Sequence, residues 1–301
     1  MHRRRFLQSA SLTAAAVAIA PLNACRNVTH PAYPMGYQLF SVRDVMATDP
    51  LATVAALTDM GYRHFEAYGY DAQSDRLYGM APAELRARLT GLGTRLTSSH
   101  FGFADYLHRP DDELRRYTDR CARAAQALGL DYLVWPVMPE ADRTPDGYRL
   151  LADRLNLIGE QLRGSGTPLA FHNNGGEFAD LGDGTSGYDV VLAKADPDLV
   201  KLQLDMYWLR HDTSALTPAE VIARAPGRTH LWHVKDMHPV SRDYTELGAG
   251  TIDYAALLPS AGESGLVHLY LEQGGNFAQD SVTSARASAT HWQSELARRV
   301  G

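Results

Sequence analysis

The sequence predicts a single (β/α)8 barrel, and three observations predict it. Short β-rich runs recur eight times, helix-patterned segments with their own start and stop residues fill the gaps, and no run is polar or proline-broken enough to be the edge of an open sheet. The runs cover residues 35–40, 63–68, 95–100, 131–136, 168–172, 199–205, 229–235 and 267–272. Their ends recur at roughly 30 residues or more, the length of one strand-plus-helix unit. An open doubly wound sheet is the alternative, and it would leave two strands unprotected.

The helices between the runs are legible from their ends. Thr144-Pro145 opens one, with Tyr148, Leu151, Leu155, Ile158 and Leu162 on one face and Gly164 beyond the end. Another starts at Asp111, places Leu114, Tyr117, Cys121, Ala125 and Leu128 at three-to-four spacing, and stops at Gly129. Thr217-Pro218-Ala219-Glu220 reads as a capping box with proline at the first helical position.

Composition sets the outer limits. Of 301 residues, 45% are apolar, 21% charged and 9% aromatic, which excludes disorder, collagen and coiled coil. The balance of 29 Lys+Arg against 35 Asp+Glu is acidic, opposite to what a phosphate-tracking nucleic-acid binder needs, so no nucleic-acid partner is expected. Two cysteines, Cys25 and Cys121, allow neither a disulfide framework nor a thiolate zinc site.

Residues 1–25 read as an address. Arg3-Arg4-Arg5-Phe6-Leu7 followed by a small-residue apolar stretch from Leu12 to Ala20 resembles a twin-arginine export signal, and the stretch is too short to span a bilayer. Leu22-Asn23-Ala24-Cys25 resembles a lipoprotein cleavage box, with Asn23 unusual there. The expectation is an exported protein, periplasmic or lipid-anchored through Cys25, with the barrel over residues 26–301. Cys121 is then a small buried hydrophobe.

Active-site groups of a barrel stand where strands end. In order, those ends carry Gln38, Glu66, His100, Trp135, His172 with Asn174 and Glu177, Asp205 with Trp208, His233 with Lys235, and Glu272. One such residue alone is more often a core histidine or a helix cap. Acids and imidazoles at the ends of strands five to eight, however, converge on one point, and their mutual repulsion is costly without a cation or shared proton. A divalent metal with mixed nitrogen and oxygen ligands answers this, and imidazole plus carboxylate suits manganese, iron, cobalt or zinc better than calcium. The expected ligands are Glu177 or His172, then Asp205, His233 and Glu272. Lys235 lies two residues after His233 and so points to the same cavity.

At these residues the chain resembles the sugar isomerase/epimerase superfamily of xylose isomerase-like barrels. The matching pieces are GYQLFSVRD (36–44), MGYRHFEAYGY (60–70), TSSHFG (97–102), AFHNNGGEF (170–178), LQLDMYWL (202–209), HVKD (233–236), ELGAGTID (246–253) and YLEQ (270–273), in order along the chain. The resemblance implies one divalent ion, manganese foremost, held by strands five to eight. Asn174 stands where relatives often carry histidine, and Trp208 replaces the histidine that the endonuclease branch places three residues after the strand-six aspartate. That branch, with its three clustered metals, is therefore excluded.

The expected chemistry is abstraction of a proton α to a carbonyl of an unphosphorylated sugar or keto-sugar, through an enediolate. His172, Glu177, Lys235 and Glu272 are the acid/base candidates. Gln38, Glu66, His100, Phe101, Trp135, Asn174, Trp208 and Glu246 are the candidate substrate contacts. The sequence shows no Gly-rich loop ending in Lys-Ser or Lys-Thr for phosphate. A keto-glycoside lyase or polyol dehydratase would use the same site, and a non-catalytic exported sugar-binding lipoprotein is the alternative of another class.

Overall fold

The computed structural model describes residues 33–182, 184–213 and 215–300, so the export signal and Cys25 lie outside the described residues. Eight parallel strands close into a barrel: β1 Gly36–Gln38, β2 His64–Ala67, β3 Arg95–His100, β4 Tyr132–Trp135, β5 Leu169–His172, β6 Val200–Asp205, β7 Leu231–Val234 and β8 His268–Leu271. Each pairs with its neighbours in sequence, and β8 returns to β1. All eight expected runs are strands. The open-sheet alternative fails because closure leaves no edge.

The first strand is shorter than its β-rich run. Gln38 turns its side-chain carbonyl oxygen onto the Phe40 N–H (3.0 Å) and starts a tight turn over Leu39–Val42. Between β7 and β8, the strands Asp236–Met237 and Tyr244–Thr245 form a small antiparallel ribbon on the mouth side.

Alternation along the strands builds two cores. Outward residues such as Phe171, Leu204, Trp232, Leu269 and Leu271 pack under the helices. Inward residues Tyr132, Val134, Ala170, Leu231 and Tyr270 fill the lower barrel. The helices obey their end signals. Asp111–Leu128 stops at Gly129, which takes a left-handed φ of 73° that a side chain disfavours. Pro145–Leu162 starts where the Thr144 hydroxyl accepts the Gly147 N–H, and Pro218–Ala223 carries the full Thr217–Glu220 capping box. Cys121 is buried and free, its thiol pushed up to about 12 by desolvation, so it packs and does not react. Among the described residues no helix is long and apolar enough to cross a membrane.

Candidate metal centre at the barrel mouth

The upper inward layer is polar, and its geometry follows from strand register. Asp205 stands opposite His233 across β6 and β7, and Tyr270 opposite His233 across β7 and β8, so the residue two beyond Tyr270, Glu272, joins the same layer. Asp205, His233 and Glu272 bring one potential ligand atom each within 4.8 Å of one another, as do His100, His172 and His233. His233 belongs to both groups.

On one side lies Glu66, fully buried. Its Oε2 accepts from His233 Nε2 (2.5 Å) and Gln38 Nε2 (2.6 Å), with His100 Nε2 3.0 Å away; its Oε1 accepts from Ser98 Oγ (2.6 Å) and Gln203 Nε2 (2.7 Å). Burial by itself would raise the Glu66 carboxyl, but the His100 and His233 imidazoles beside it hold it well below the usual range. The carboxylate therefore fixes His233 with its Nε2 proton toward Glu66.

On the other side, His233 Nδ1 lies 2.5 Å from Glu272 Oε2 and 3.8 Å from Asp205 Oδ2. Both carboxylates lie beside the Lys235 ammonium, at 3.0 Å for Asp205 Oδ2 and 2.9 Å for Glu272 Oε1. Burial would depress the imidazole, yet Glu66 and Glu272 hold His233 well above the ordinary histidine value. Burial and the neighbouring His233 and His100 keep His172 well below it, so its ring is neutral with a lone pair to offer. Glu272, despite burial, is lowered to about 2 by Lys235 and His233.

This layer fits a divalent cation. His172 Nδ1, Asp205 Oδ2, His233 Nδ1 and Glu272 Oε2 are all buried; His172 Nδ1 has no polar partner, and the other three are held only by ion pairs with Lys235 and with one another. A buried polar atom without a hydrogen bond is costly; Asp205, His233 and Glu272 bring their ligand atoms together, and His172 stands beside His233 with ring centroids 4.6 Å apart. Two lone pairs as close as those of His233 and Glu272 need positive charge between or on them. Two imidazoles with two carboxylates form the donor set of a borderline transition metal.

Above the layer opens a cavity of about 500 Å³, walled by Phe40, Tyr68, Tyr70, Phe101, Trp208 and Tyr244. His172, Lys235 and Glu272 face it from below. Lys235 is its one cation among the described residues, and both carboxylates already engage it.

A family model described as xylose isomerase-like TIM barrel matches residues 54–281. The chain belongs to this family. No curated protein matches the sequence. A sugar phosphate isomerase/epimerase from Parabacteroides distasonis ATCC 8503 is similar in structure, with a TM-score of 0.78, 22% identity, and coverage of 93% of this chain and 99% of that one. The 3-keto-D-glucoside 4-epimerase YcjR from E. coli superposes with a TM-score of 0.61 at 17% identity over 87% of this chain and 99% of that one. The IOLI protein, solved with a bound zinc atom, gives 0.66 at 15% identity over 86% and 96%. At such identities these likenesses speak for the fold.

Within the xylose isomerase-like frame, several residues stand elsewhere than the sequence reading put them. Glu177 is not in either ligand group; it lies buried in the loop after β5, near Arg143, Tyr148 and Asp212, and does not line the cavity. The loop folds its carboxyl away from the mouth, because the Gly176 and Phe178 N–H groups are anchored on Asp212. Of the two strand-five candidates, His172 is the one that lies in a ligand group. Glu66 is fully buried beside His233 Nε2 and does not line the cavity. Trp135 is fully buried, stacked on Phe103 and donating to the Val137 carbonyl. Glu246 accepts from Ala278 N (2.9 Å) and Ser284 Oγ (2.5 Å), tying two loops together outside the cavity. Gly248 and Gly250 bring their N–H groups onto the Asp236 carboxylate, not onto a ligand. Gln38, His100, Phe101, Asn174 and Trp208 do line the cavity.

The sequence reading missed Ser98, Gln203 and Tyr270, and the aromatic wall of Phe40, Tyr68, Tyr70 and Tyr244. Gln203 was within reach, since it sits two residues before Asp205 and shares its face. The aromatics come from separate loops, which no spacing rule connects.

Both Glu177 oxygens lack a partner, and burial raises its carboxyl to about 8. The folded state therefore binds a proton that the unfolded chain releases near 4.5, and stability from this group falls as pH rises through that window. Glu177→Gln is expected to match the parent near pH 5 and exceed it by about 1–3 kcal/mol at pH 8. Melting both proteins across this range checks it; a difference that does not grow with pH would contradict the assignment.

Proposed function

We propose that the chain is a divalent-metal-dependent isomerase or epimerase that removes a proton α to the carbonyl of an unphosphorylated sugar or keto-sugar. The observation that carries this reading is the set of buried ligand-type atoms, His172 Nδ1, Asp205 Oδ2, His233 Nδ1 and Glu272 Oε2, none of them in a regular hydrogen bond, under an aromatic-walled cavity. A cation held by these residues would stabilise the negative charge of an enediolate. Glu66 holds the His233 ring, and Gln38 and His100 extend that network to the cavity floor. Trp208 and Tyr244 offer ring faces to a sugar.

Lys235 and Glu272, ion-paired at 2.9 Å on the cavity floor, are the acid/base candidates nearest a bound substrate. Phosphorylated substrates are disfavoured, because no free cation among the described lining residues would meet the phosphate. Zinc, iron or cobalt suits two imidazoles and two carboxylates as well as manganese does. The zinc-containing neighbour supports a divalent ion of this group. The twin-arginine pattern of residues 1–25 supports export to the periplasm, with or without a lipid on Cys25.

Elemental mass spectrometry tests the reading. The purified chain should carry about one transition-metal ion, or take one up on reconstitution. Asp205→Ala with His233→Ala should carry none. A folded parent without metal after reconstitution with manganese and zinc would overturn the reading in favour of a non-catalytic sugar-binding barrel. Product mass then separates isomerisation, which conserves it, from elimination by a lyase or dehydratase.

A further inference from the structure

A second cavity, of about 590 Å³, adjoins the barrel mouth, and the two share Tyr68 and Gly69 as a common wall. The geometry points to this cavity as a subsite for a second sugar ring, which makes the substrate a neutral disaccharide or glycoside. The inference rests on the carbohydrate reading of the mouth and names its substrate class.

Three features of the wall between the two cavities carry it. A run of aromatic rings leads from one cavity to the other, Phe40 edge-on to Tyr68 at 5.2 Å and Tyr68 edge-on to Tyr78 at 5.6 Å. Phe40, on the mouth side, is 42% exposed, with the Arg43 guanidinium over its ring at 4.4 Å. At Gly69, which borders both cavities, an added side chain would meet nothing within 4 Å, so this stretch of the shared wall faces open space.

The third feature is the backbone at Tyr78. Leu77 and Met80 exchange both backbone hydrogen bonds (3.0 and 3.1 Å), closing a two-residue turn in which Tyr78 and Gly79 take φ of 52° and 77°. Such a turn favours asparagine or glycine at its first central position, and a bulky aromatic there is strained. The ring is nevertheless held, its hydroxyl accepting the Tyr68 N–H at 3.1 Å. Strain retained in a cavity wall is the mark of a wall that something contacts.

The lining selects the occupant. Tyr68 and Tyr78 give ring faces, Thr48 and Ser74 give hydroxyls, and Asp71 and Arg76 carry opposite charges. Aromatic faces with a few polar groups and no net charge suit a neutral, amphipathic ring such as a hexose, and not a phosphate or a purely apolar group.

Calorimetric titration of the metal-reconstituted full chain with cellobiose, maltose and lactose, against glucose and galactose, tests this. At least one disaccharide is expected to bind about tenfold more tightly than its monosaccharide. Thr48→Trp, which fills the second cavity, should abolish that gain and leave monosaccharide affinity unchanged. Tyr78→Asn, the residue the turn favours, should keep the fold and lose the gain as well. Monosaccharide binding with no disaccharide gain, or a gain that survives both substitutions, would overturn the subsite and leave the mouth reading standing. A chain that holds metal yet binds none of the sugars overturns both.

Discussion

Glu66→Ala is expected to cost about 3–5 kcal/mol of stability, near the upper end for a single substitution. The reason is the number of groups that share this carboxylate. His233, His100, Gln38, Ser98 and Gln203 all direct a donor at it within the barrel, and none is exposed enough to exchange it freely for water. Removing the acceptor leaves buried donors unpaired, which costs more than the bonds contributed. Glu66→Gln keeps the volume but turns an amide N–H toward other donors and removes the charge that orients His233. Its metal affinity is expected to fall about 10–100-fold, as for other substitutions behind a ligand histidine. Urea titration measures the first effect and competition with a chelator the second. A loss under about 1 kcal/mol for Glu66→Ala would show that water replaces the carboxylate.

Lys235→Met should destabilise the metal-free protein by about 3–5 kcal/mol and the metal-loaded protein far less. In the metal-free chain the ammonium neutralises Asp205, which is fully buried, and Glu272, whose side chain is 8% exposed. Despite the burial, which raises it, Asp205 is lowered by Lys235. Take the ammonium away and two carboxylates face each other across a low-dielectric floor, where one must bind a proton to relieve the repulsion. A divalent cation relieves it instead. The variant's melting deficit should therefore be wide with chelator and narrow with manganese or zinc. An equal deficit under both conditions would place the cation away from Asp205 and Glu272.

These expectations depend on how the polar layer is assembled. The residues that reach it were readable where strand periodicity carries them: Asp205, His233, Lys235 and Glu272 lie at or just beyond strand ends, where alternation fixes which side chains face inward. His172 was readable in the same way. Glu177 was not, because it lies five residues past the end of β5, and the path of that loop is set by Asp212 on another element. Trp135 and Glu246 show the same limit. Being next to a strand end does not decide whether a side chain turns to the mouth or under a helix.

The sequence by itself determined the closed eight-stranded architecture, since eight evenly spaced runs without an edge strand admit no other economical closure. It also determined which four strands carry acids and imidazoles. Only the tertiary structure decided that Glu66 lies against His233 and outside the cavity lining, that Lys235 spans two carboxylates, and that aromatics from separate loops wall one cavity and lead into the next. Periodicity along a strand is a local property, fixed by backbone geometry. The meeting of residues some 28 to 167 positions apart, such as Glu66 with Gln38 and with His233, is fixed by barrel closure and shear, which bring distant side chains into one layer.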